Sequence, residues 1–192
     1  MHKKKLWALN FSAHMLLLLP ASIGINYIGK LFAQLLRLPL WLDSIGTLLA
    51  SMLGGPIIGA VSGLLNNVLY GLLLDPVSFV YGLTSVAMGL LVGVLSYRGF
   101  LDNWRKVLIM GALVAAASAV VSAPLNIVFW GGETGIFWAD DFFNAASAAG
   151  LAAWGLSFLA ELAVDLPDKI ISIFISYGIY KALPKNILKF YH

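Results

Sequence analysis

The sequence contains no cysteine, which excludes disulfide bonds, iron–sulfur clusters and thiolate catalysis. It also lacks the Gly-x-x-x-x-Gly-Lys-Ser/Thr run whose backbone holds nucleotide phosphates. The three histidines, at positions 2, 14 and 192, are too scattered for a metal site, and no grouping of serine, histidine and acid indicates a hydrolytic centre. We therefore expect a chain that is not an enzyme and that has no metal and no cofactor.

Charge is scarce as well. Charged residues make up 11% of the sequence, hydrophobic residues make up 60%, and the mean hydropathy is +0.90. Soluble domains carry roughly 25% charged residues, so we predict that residues 1–192 form a single integral membrane domain. The net charge of +3 does not indicate nucleic-acid binding, because the cations lie at the predicted membrane edges rather than along one face.

The apolar runs predict an all-α membrane protein with six transmembrane helices, since a spanning helix needs about 20 apolar residues. The first run follows three lysines like a signal peptide, but it has no small-residue cleavage signature and is interpreted as a span. The predicted spans are Leu6–Gly29, Asp43–Leu53, Ile57–Leu74, Val77–Tyr97, Val107–Phe129 and Ile170–Leu183. Lys30–Leu42 is predicted to be an amphipathic connector at the outer interface, and Gly54-Gly55-Pro56 is predicted to be a break.

Residues 142–183 also have a helical pattern, but a single straight helix of this length would measure roughly 60 Å, about twice the hydrocarbon thickness. We predict a break between Ala163 and Pro167. Residues 142–163 would then lie across or partly inside the outer face, as a long outer loop or lateral helix between the fifth and sixth spans.

The distribution of lysine and arginine predicts the orientation, because short cytoplasmic loops are rich in these residues. With six spans and cytoplasmic N- and C-termini, nine of the twelve cations fall inside. These are Lys3, Lys4, Lys5, Arg98, Arg105, Lys106, Lys181, Lys185 and Lys189. The loop around residues 124–141 then lies outside the cell.

Small residues recur at spacings of four in the third to fifth predicted spans. Gly59 and Gly63 are one such pair, and Gly89 and Gly93 are another. Such spacings allow helices to approach closely in membranes. We interpret these glycines as packing positions.

The segment Pro124–Asp141 interrupts the apolar runs with two tryptophans, three glycines, three acids and one asparagine. Trp130 and Trp138 would supply flat apolar walls, and Glu133, Thr134 and Asp141 would supply hydrogen-bonding groups. The alternative is that both tryptophans belong to an interfacial aromatic belt. That alternative does not explain the glycines and acids between them, so we predict that this loop closes a small-molecule site.

Polar groups within the spans normally face a bundle interior or a cavity, because they are costly in lipid. On one helix, Glu161, Asp165 and Lys169 would share a face. One interpretation is structural, with Lys169 paired to Asp165 and the acids capping the last helix. The other is that Glu161 or Asp165 reaches into an outward-facing pocket. The neighbouring Asn66 and Asn67 are open to the same two interpretations, interhelical hydrogen bonding or ligand contact.

The sequence resembles the substrate-binding S-components of energy-coupling factor transporters, the vitamin importers of prokaryotes. The motifs that carry the resemblance are short and spread over most of the chain. They are Leu42-Asp-Ser-Ile-Gly-Thr47, Gly54-Gly-Pro56, Gly63 with Asn66 after it, Trp130-Gly-Gly-Glu-Thr-Gly135, Asp168-Lys169 and Leu183-Pro184.

This resemblance implies a prokaryotic cell-membrane protein that holds substrate near the outer face. The holding elements would be the connector after the first span, the loop between the third and fourth spans, and the loop between the fifth and sixth. It also implies a complex with one membrane coupling subunit and two cytoplasmic ATPases, and toppling of the chain to release its ligand inside. The family often docks through Ala-x-x-x-Ala on the first helix; this chain departs from that pattern, and Ala8, Ser12 and Ala13 are the nearest equivalent.

The function expected from these observations is capture of a vitamin-like micronutrient. The alternatives are an ion-coupled small-solute transporter that uses Glu161 or Asp165, and a membrane sensor domain. The tryptophans favour a ring, and the acids favour a ligand with amine, hydroxyl or ring N–H donors; a pyridoxine-like or cobalamin-like compound would fit the family. The predicted substrate-binding residues are Trp41, Asp43, Asn66, Asn67, Asn126, Trp130, Glu133, Thr134, Trp138, Asp141, Glu161 and Asp165.

Overall fold

The structure is a computed structural model that describes residues 13–191. Within this range the chain forms eight α-helices and one short 3-10 helix at Pro76–Phe79, and it has no strand. The helices are α1 (Ala13–Leu35), α2 (Ile45–Gly54), α3 (Pro56–Leu73), α4 (Gly82–Tyr97), α5 (Trp104–Trp130), α6 (Phe137–Ala148), α7 (Ala153–Ala182) and α8 (Lys185–Tyr191). The predicted all-α class is therefore confirmed.

Three helices, α1, α3 and α5, are long and apolar enough to cross a membrane, and α2 and α4 are shorter apolar helices. These helices support the predicted membrane protein. The helix α7 has 30 residues and carries four charged side chains near its middle. Six spans and the position of the termini stay predictions.

The predicted break between the second and third spans is confirmed. Gly55 has φ +83° and caps the end of α2, and Pro56 is the first residue of α3, where proline loses no intrahelical hydrogen bond. The fourth helix begins later than predicted. Asp75 Oδ1 accepts a hydrogen bond from the Val77 amide at 3.1 Å, which starts the 3-10 helix, and α4 follows only from Gly82.

The prediction of an amphipathic connector from Lys30 is wrong, because α1 continues to Leu35. Gly29, the predicted helix end, is instead a packing position: a Cβ atom there would overlap the backbone carbonyl of Leu42. The helix ends where Arg37 takes φ +50° and Pro39 follows. The connector between α1 and α2 is therefore residues 36–44.

The predicted break between Ala163 and Pro167 is also wrong, since α7 passes through Pro167 without interruption. The break lies at residues 149–152, where Gly150 has φ +85°. A proline inside a helix removes one hydrogen bond, but membrane helices tolerate it when their neighbours pack tightly, and α7 packs against α5. Glu161, Asp165 and Asp168 consequently lie inside α7, so the part of the structural interpretation in which the acids cap the last helix does not hold.

The bundle is held together by the pairs α5–α7 and α3–α4, with α2 between them. Leu48, Val92, Val107, Met110 and Ile173 form its central apolar core. The α3–α4 pair depends on the predicted small residues. A Cβ atom on Gly89 would overlap the backbone of Gly59, and one on Gly63 would lie 2.8 Å from the Ser85 carbonyl oxygen.

Candidate functional site

A cavity of about 280 Å³ lies at the end of the bundle where α5 ends in Trp130. The end of α1, the connector 36–44, the end of α3, the start of α4 and the loop after α5 surround it, and α7 contributes its charged residues. Eight of the twelve predicted substrate-binding residues line this cavity. They are Trp41, Asp43, Asn67, Trp130, Glu133, Thr134, Glu161 and Asp165.

Asp165, Asp168 and Lys169 form a charged cluster at one side of the cavity, and Asp165 and Lys169 line it. Lys169 Nζ lies 3.3 Å from Asp165 Oδ1 and 2.6 Å from Asp168 Oδ2, and all three side chains are buried. Asp168 Oδ1 in turn accepts hydrogen bonds from the backbone amides of Trp41 at 3.1 Å and Leu42 at 2.8 Å. This cluster therefore fixes the connector 36–44 to α7. It also positions Trp41, a residue of the connector that lines the cavity.

A hydrogen-bonded chain runs from the aromatic wall to the second acid. The Tyr81 hydroxyl donates to Asn126 Oδ1 at 2.6 Å, and Asn126 Nδ2 donates to Glu161 Oε2 at 2.8 Å. Asn126 is fully buried and does not line the cavity. It positions Tyr81 and Glu161, which do.

The aromatic wall consists of Tyr81 and Trp130. Their rings stack at a centroid distance of 5.6 Å and an interplanar angle of 22°. Trp130 is the last residue of α5, which ends because Gly131 adopts the left-handed conformation with φ +68°. The backbone amide of Gly132 then donates to the Asn126 carbonyl at 3.0 Å, so the helix end, the loop and the central asparagine form one unit.

The loop over the cavity is shaped by Asp140. Its Oδ1 accepts hydrogen bonds from the Thr134 amide at 2.6 Å and the Thr134 hydroxyl at 2.9 Å, and its Oδ2 accepts one from the Gly135 amide at 3.0 Å. Glu133 accepts a hydrogen bond from Asn144 at 2.9 Å. Sequence reasoning chose the neighbouring Asp141, which is exposed, because the two adjacent acids cannot be told apart before the start of α6 is known.

Polar side chains of α3, α4 and α5 complete the opposite wall. Asn67 Nδ2 donates to Ser85 Oγ at 2.7 Å and to the Gly63 carbonyl at 2.9 Å. The hydroxyl groups of Thr84 and Ser122 lie 3.0 Å apart. Asn67 therefore combines the two predicted roles: it joins α3 to α4 and it also lines the cavity.

Four predicted site residues do not reach the cavity wall. Asn126 lies behind it, as described above, and Asn66 is buried elsewhere, with an Oδ1 atom that makes no hydrogen bond in the described chain. Trp138 and Asp141 lie on the exposed side of α6. Of the predicted docking residues, Ala13 is exposed at the start of α1, whereas Ala8 and Ser12 lie outside the described residues.

Both interpretations of the acids on α7 describe part of the geometry. Lys169 pairs with Asp165, as the structural interpretation expected, and Glu161 and Asp165 both reach the cavity, as the functional one expected. Twelve further wall residues were not among the predicted ones. They include the hydroxyl side chains of Tyr81, Thr84, Ser118 and Ser122, and Ser85, the partner of Asn67. Ser118 and Ser122 are four apart on one face of α5, but in a run of alanines this spacing also indicates simple close packing.

The site offers aromatic faces, hydroxyl groups and carboxylates around a volume close to the lower end of the range for small-molecule pockets, about 300–1,000 Å³. Among residues 13–191, no three His, Asp or Glu side chains are grouped so that they could hold a metal ion. The arrangement is suited to enclosing and hydrogen-bonding a small molecule. Comparisons of the chain with protein-family models, with curated proteins and with solved structures found no match.

Proposed function

We propose that this chain is the substrate-binding subunit of an energy-coupling factor importer in a prokaryotic cell membrane. It captures a vitamin or a vitamin-like micronutrient at the outer face and delivers it inward. The energy comes from ATP hydrolysis on two cytoplasmic subunits, transmitted by a membrane coupling subunit. This chain itself performs no chemistry on its ligand.

One observation carries the proposal: three motifs that are far apart in sequence meet at one cavity. Asp43 from the motif after the connector, Trp130–Gly135 from the loop after α5, and Lys169 from α7 all contribute to its wall. Affinity in such a site comes from apolar enclosure together with a few convergent polar groups. The same motifs carried the resemblance to the importer subunits.

The charge distribution supports an outward-facing cavity. The loop between α4 and α5 is basic, with Arg98, Arg105 and Lys106. It lies at the opposite end of α5 from Trp130, about 40 Å away at 1.5 Å per residue. The positive-inside rule would place this basic end in the cytoplasm and the cavity outside, with six spans.

The proposed docking surface for the coupling subunit includes the start of α1. This helix is the least buried of the three long apolar helices, and Leu16 and Leu17 are exposed next to Ala13. An apolar face of this kind can contact either lipid or a helix of the coupling subunit. The coupling subunit is the occupant that the proposal requires during transport.

Ligand binding by the purified chain tests the proposal. The chain should bind its ligand in detergent without any nucleotide, and native mass spectrometry of gently purified protein should show the bound mass. Proteoliposomes that contain only this chain should accumulate nothing when ATP is added. Robust uptake by the chain alone would contradict the proposal.

A second function is favoured by Glu161, a buried carboxyl group on the cavity wall. An ion-coupled transporter would use such a group to carry a proton with the solute. The two functions differ in cells: a protonophore that leaves ATP intact would abolish ion-coupled uptake and would leave ATP-driven uptake running. No described feature favours the sensor domain over these two.

A further inference from the structure

The cavity wall is unusually acidic for a site inside a membrane bundle. Five carboxylates line it, Asp43, Asp75, Glu133, Glu161 and Asp165, against only two lysines, Lys30 and Lys169. Lys169 is already held between Asp165 and Asp168. Lys30 lies over the ring of Tyr70, with Nζ 4.2 Å from the ring centroid. Lys169 is therefore not arranged to receive an anion, and the carboxylates on the wall outnumber the lysines.

One of these carboxylates has an oxygen available to a donor on the ligand. Glu161 accepts the Asn126 hydrogen bond with Oε2, which leaves Oε1 for another donor. Asp165 is 1% exposed, its Oδ1 atom lies 3.3 Å from Lys169 Nζ, and its Oδ2 atom is buried beside the Ser118 hydroxyl. Asp165 therefore adds negative charge next to the site, and Glu161 supplies the acceptor.

The two acids lie one helical turn apart on the same face of α7. The stacked rings of Tyr81 and Trp130 belong to the same cavity, and the Asn126 hydrogen bonds connect Tyr81 directly to Glu161. Aromatic faces attract cations because of the negative charge above the ring. Flat rings and carboxylates side by side therefore select a ligand that is both aromatic and positively charged.

The volume limits the size of this ligand. At about 280 Å³, the cavity lies at the lower end of the range for small-molecule pockets, about 300–1,000 Å³. This size favours one ring system with short substituents over a large cobalamin-like compound.

From these contacts we infer that the substrate is a small aromatic cation, a flat heterocycle that carries one positive charge on a ring nitrogen or on a short amine arm. Its charged or N–H donor group meets Glu161 Oε1, next to the charge of Asp165, and its ring lies against Trp130. The same acids disfavour ligands that carry a carboxylate or phosphate group. This inference depends on the proposed binding function and adds the chemical class of the ligand.

Three probes with the same ring and different charge test it: 1-methylnicotinamide as the cation, nicotinamide as the neutral form and nicotinate as the anion. Their binding to the purified full-length chain is measured by quenching of tryptophan fluorescence. The cation should bind at least about tenfold more tightly than either other probe, as expected for hydrogen bonds and contacts to a charged group. Equal binding of the three, preference for nicotinate or nicotinamide, or no binding of any probe would overturn the inference.

The variant Glu161→Gln keeps the shape of the side chain and the acceptor for Asn126. It should weaken binding of 1-methylnicotinamide about tenfold and leave binding of nicotinamide within a factor of two. The control is Asp102→Asn, since Asp102 pairs with Lys106 in the loop at the opposite end of α5; it should change neither affinity. An equal loss of affinity for both probes, or an unchanged affinity for the cation, would contradict the inference. If Glu161→Gln does not fold, the comparison of the three probes on the wild-type chain still tests the inference.

Native mass spectrometry separates this inference from the proposed function. A bound anionic or neutral metabolite would overturn the inference and leave the binding function intact. Failure to retain any ligand, together with failure of all three probes, would count against both. A bound cation of one or two rings would support both.

Discussion

The backbone amide of Leu42 donates to Oδ1 of Asp168 at 2.8 Å, across 126 residues of sequence. The Trp41 amide shares the same acceptor, and the second oxygen of Asp168 holds Lys169. One fully buried carboxylate thus fixes the connector after α1, the helix α7 and the orientation of Trp41 on the cavity wall.

Replacing Asp168 by Asn should destabilise the protein strongly. The change removes the closer of the two carboxylates that pair with Lys169, and Asp165 remains 3.3 Å away. We expect a loss of about 2–3 kcal/mol, below the cost of about 3–5 kcal/mol for a buried pair that is fully broken. Thermal unfolding in detergent measures this. The matched control is Asp102→Asn, which breaks an exposed pair worth about 0–1 kcal/mol. Similar melting temperatures for both variants would show that the Asp168–Lys169 ion pair does not stabilise the fold.

The two tryptophans of the loop region should differ in their effect on binding. Trp130→Ala removes the ring that stacks on Tyr81 at the cavity, and a lost aromatic or cation–π contact of about 1–2 kcal/mol corresponds to roughly 5- to 30-fold in affinity. Trp138→Ala, on the exposed side of α6, should leave affinity within a factor of two. Titration of the ligand against both variants measures this, and equal losses would show that α6 also contributes to the site.

The central asparagine should affect binding without touching the ligand. Asn126→Ala removes the acceptor of Tyr81 and the donor to Glu161, so both wall residues lose their fixed positions. We expect affinity to fall about tenfold, in line with the loss of one hydrogen bond to a charged group. The control is Asn66→Ala, which lies away from the wall and should leave affinity unchanged. Unchanged affinity in Asn126→Ala would remove this chain of hydrogen bonds from the site.

The packing of α3 against α4 should be sensitive to a single methyl group. Gly89→Ala places a Cβ atom on the backbone of Gly59, and overpacking of this kind costs about 1–3 kcal/mol. Gly178→Ala on α7 is the control, because no atom lies within 4 Å of its added Cβ; it should be neutral or stabilise α7 by about 0.5–1 kcal/mol. Unfolding curves in detergent compare the two, and a neutral Gly89→Ala would mean that the two helices separate easily.

Composition and apolar runs were enough to predict the membrane class and the helical fold, and the glycine spacing predicted the α3–α4 contact. The break near Pro167 was mispredicted because a local rule for proline was applied to a helix whose other face packs along α5. Local propensity does not report what a neighbouring helix supplies.

The predictions for the site were most accurate for residues whose exposure to lipid is energetically unfavourable. Buried acids such as Glu161 and Asp165 stand out in an apolar run because lipid cannot accommodate them. Tyr81 was missed because a tyrosine at the start of a helix is also typical of a membrane interface. The hydrogen bond to Asn126, which is 45 residues away in sequence, distinguishes the two roles. Sequence periodicity does not predict a contact between residues so far apart.

The loop after α5 has one further property. Its hydrogen bonds within the described chain join it to its own neighbours: Gly132 to Asn126, Thr134 to Asp140, and Glu133 to Asn144. Its contacts with the connector are apolar, through Trp41 and Ile136. Residues 131–144 thus form a preassembled unit, whose buried Ile136, Ala139 and Phe143 cluster with Leu156, Ala160 and Val164 of α7. The loop owes its shape to its own hydrogen bonds and its place over the cavity to this apolar packing.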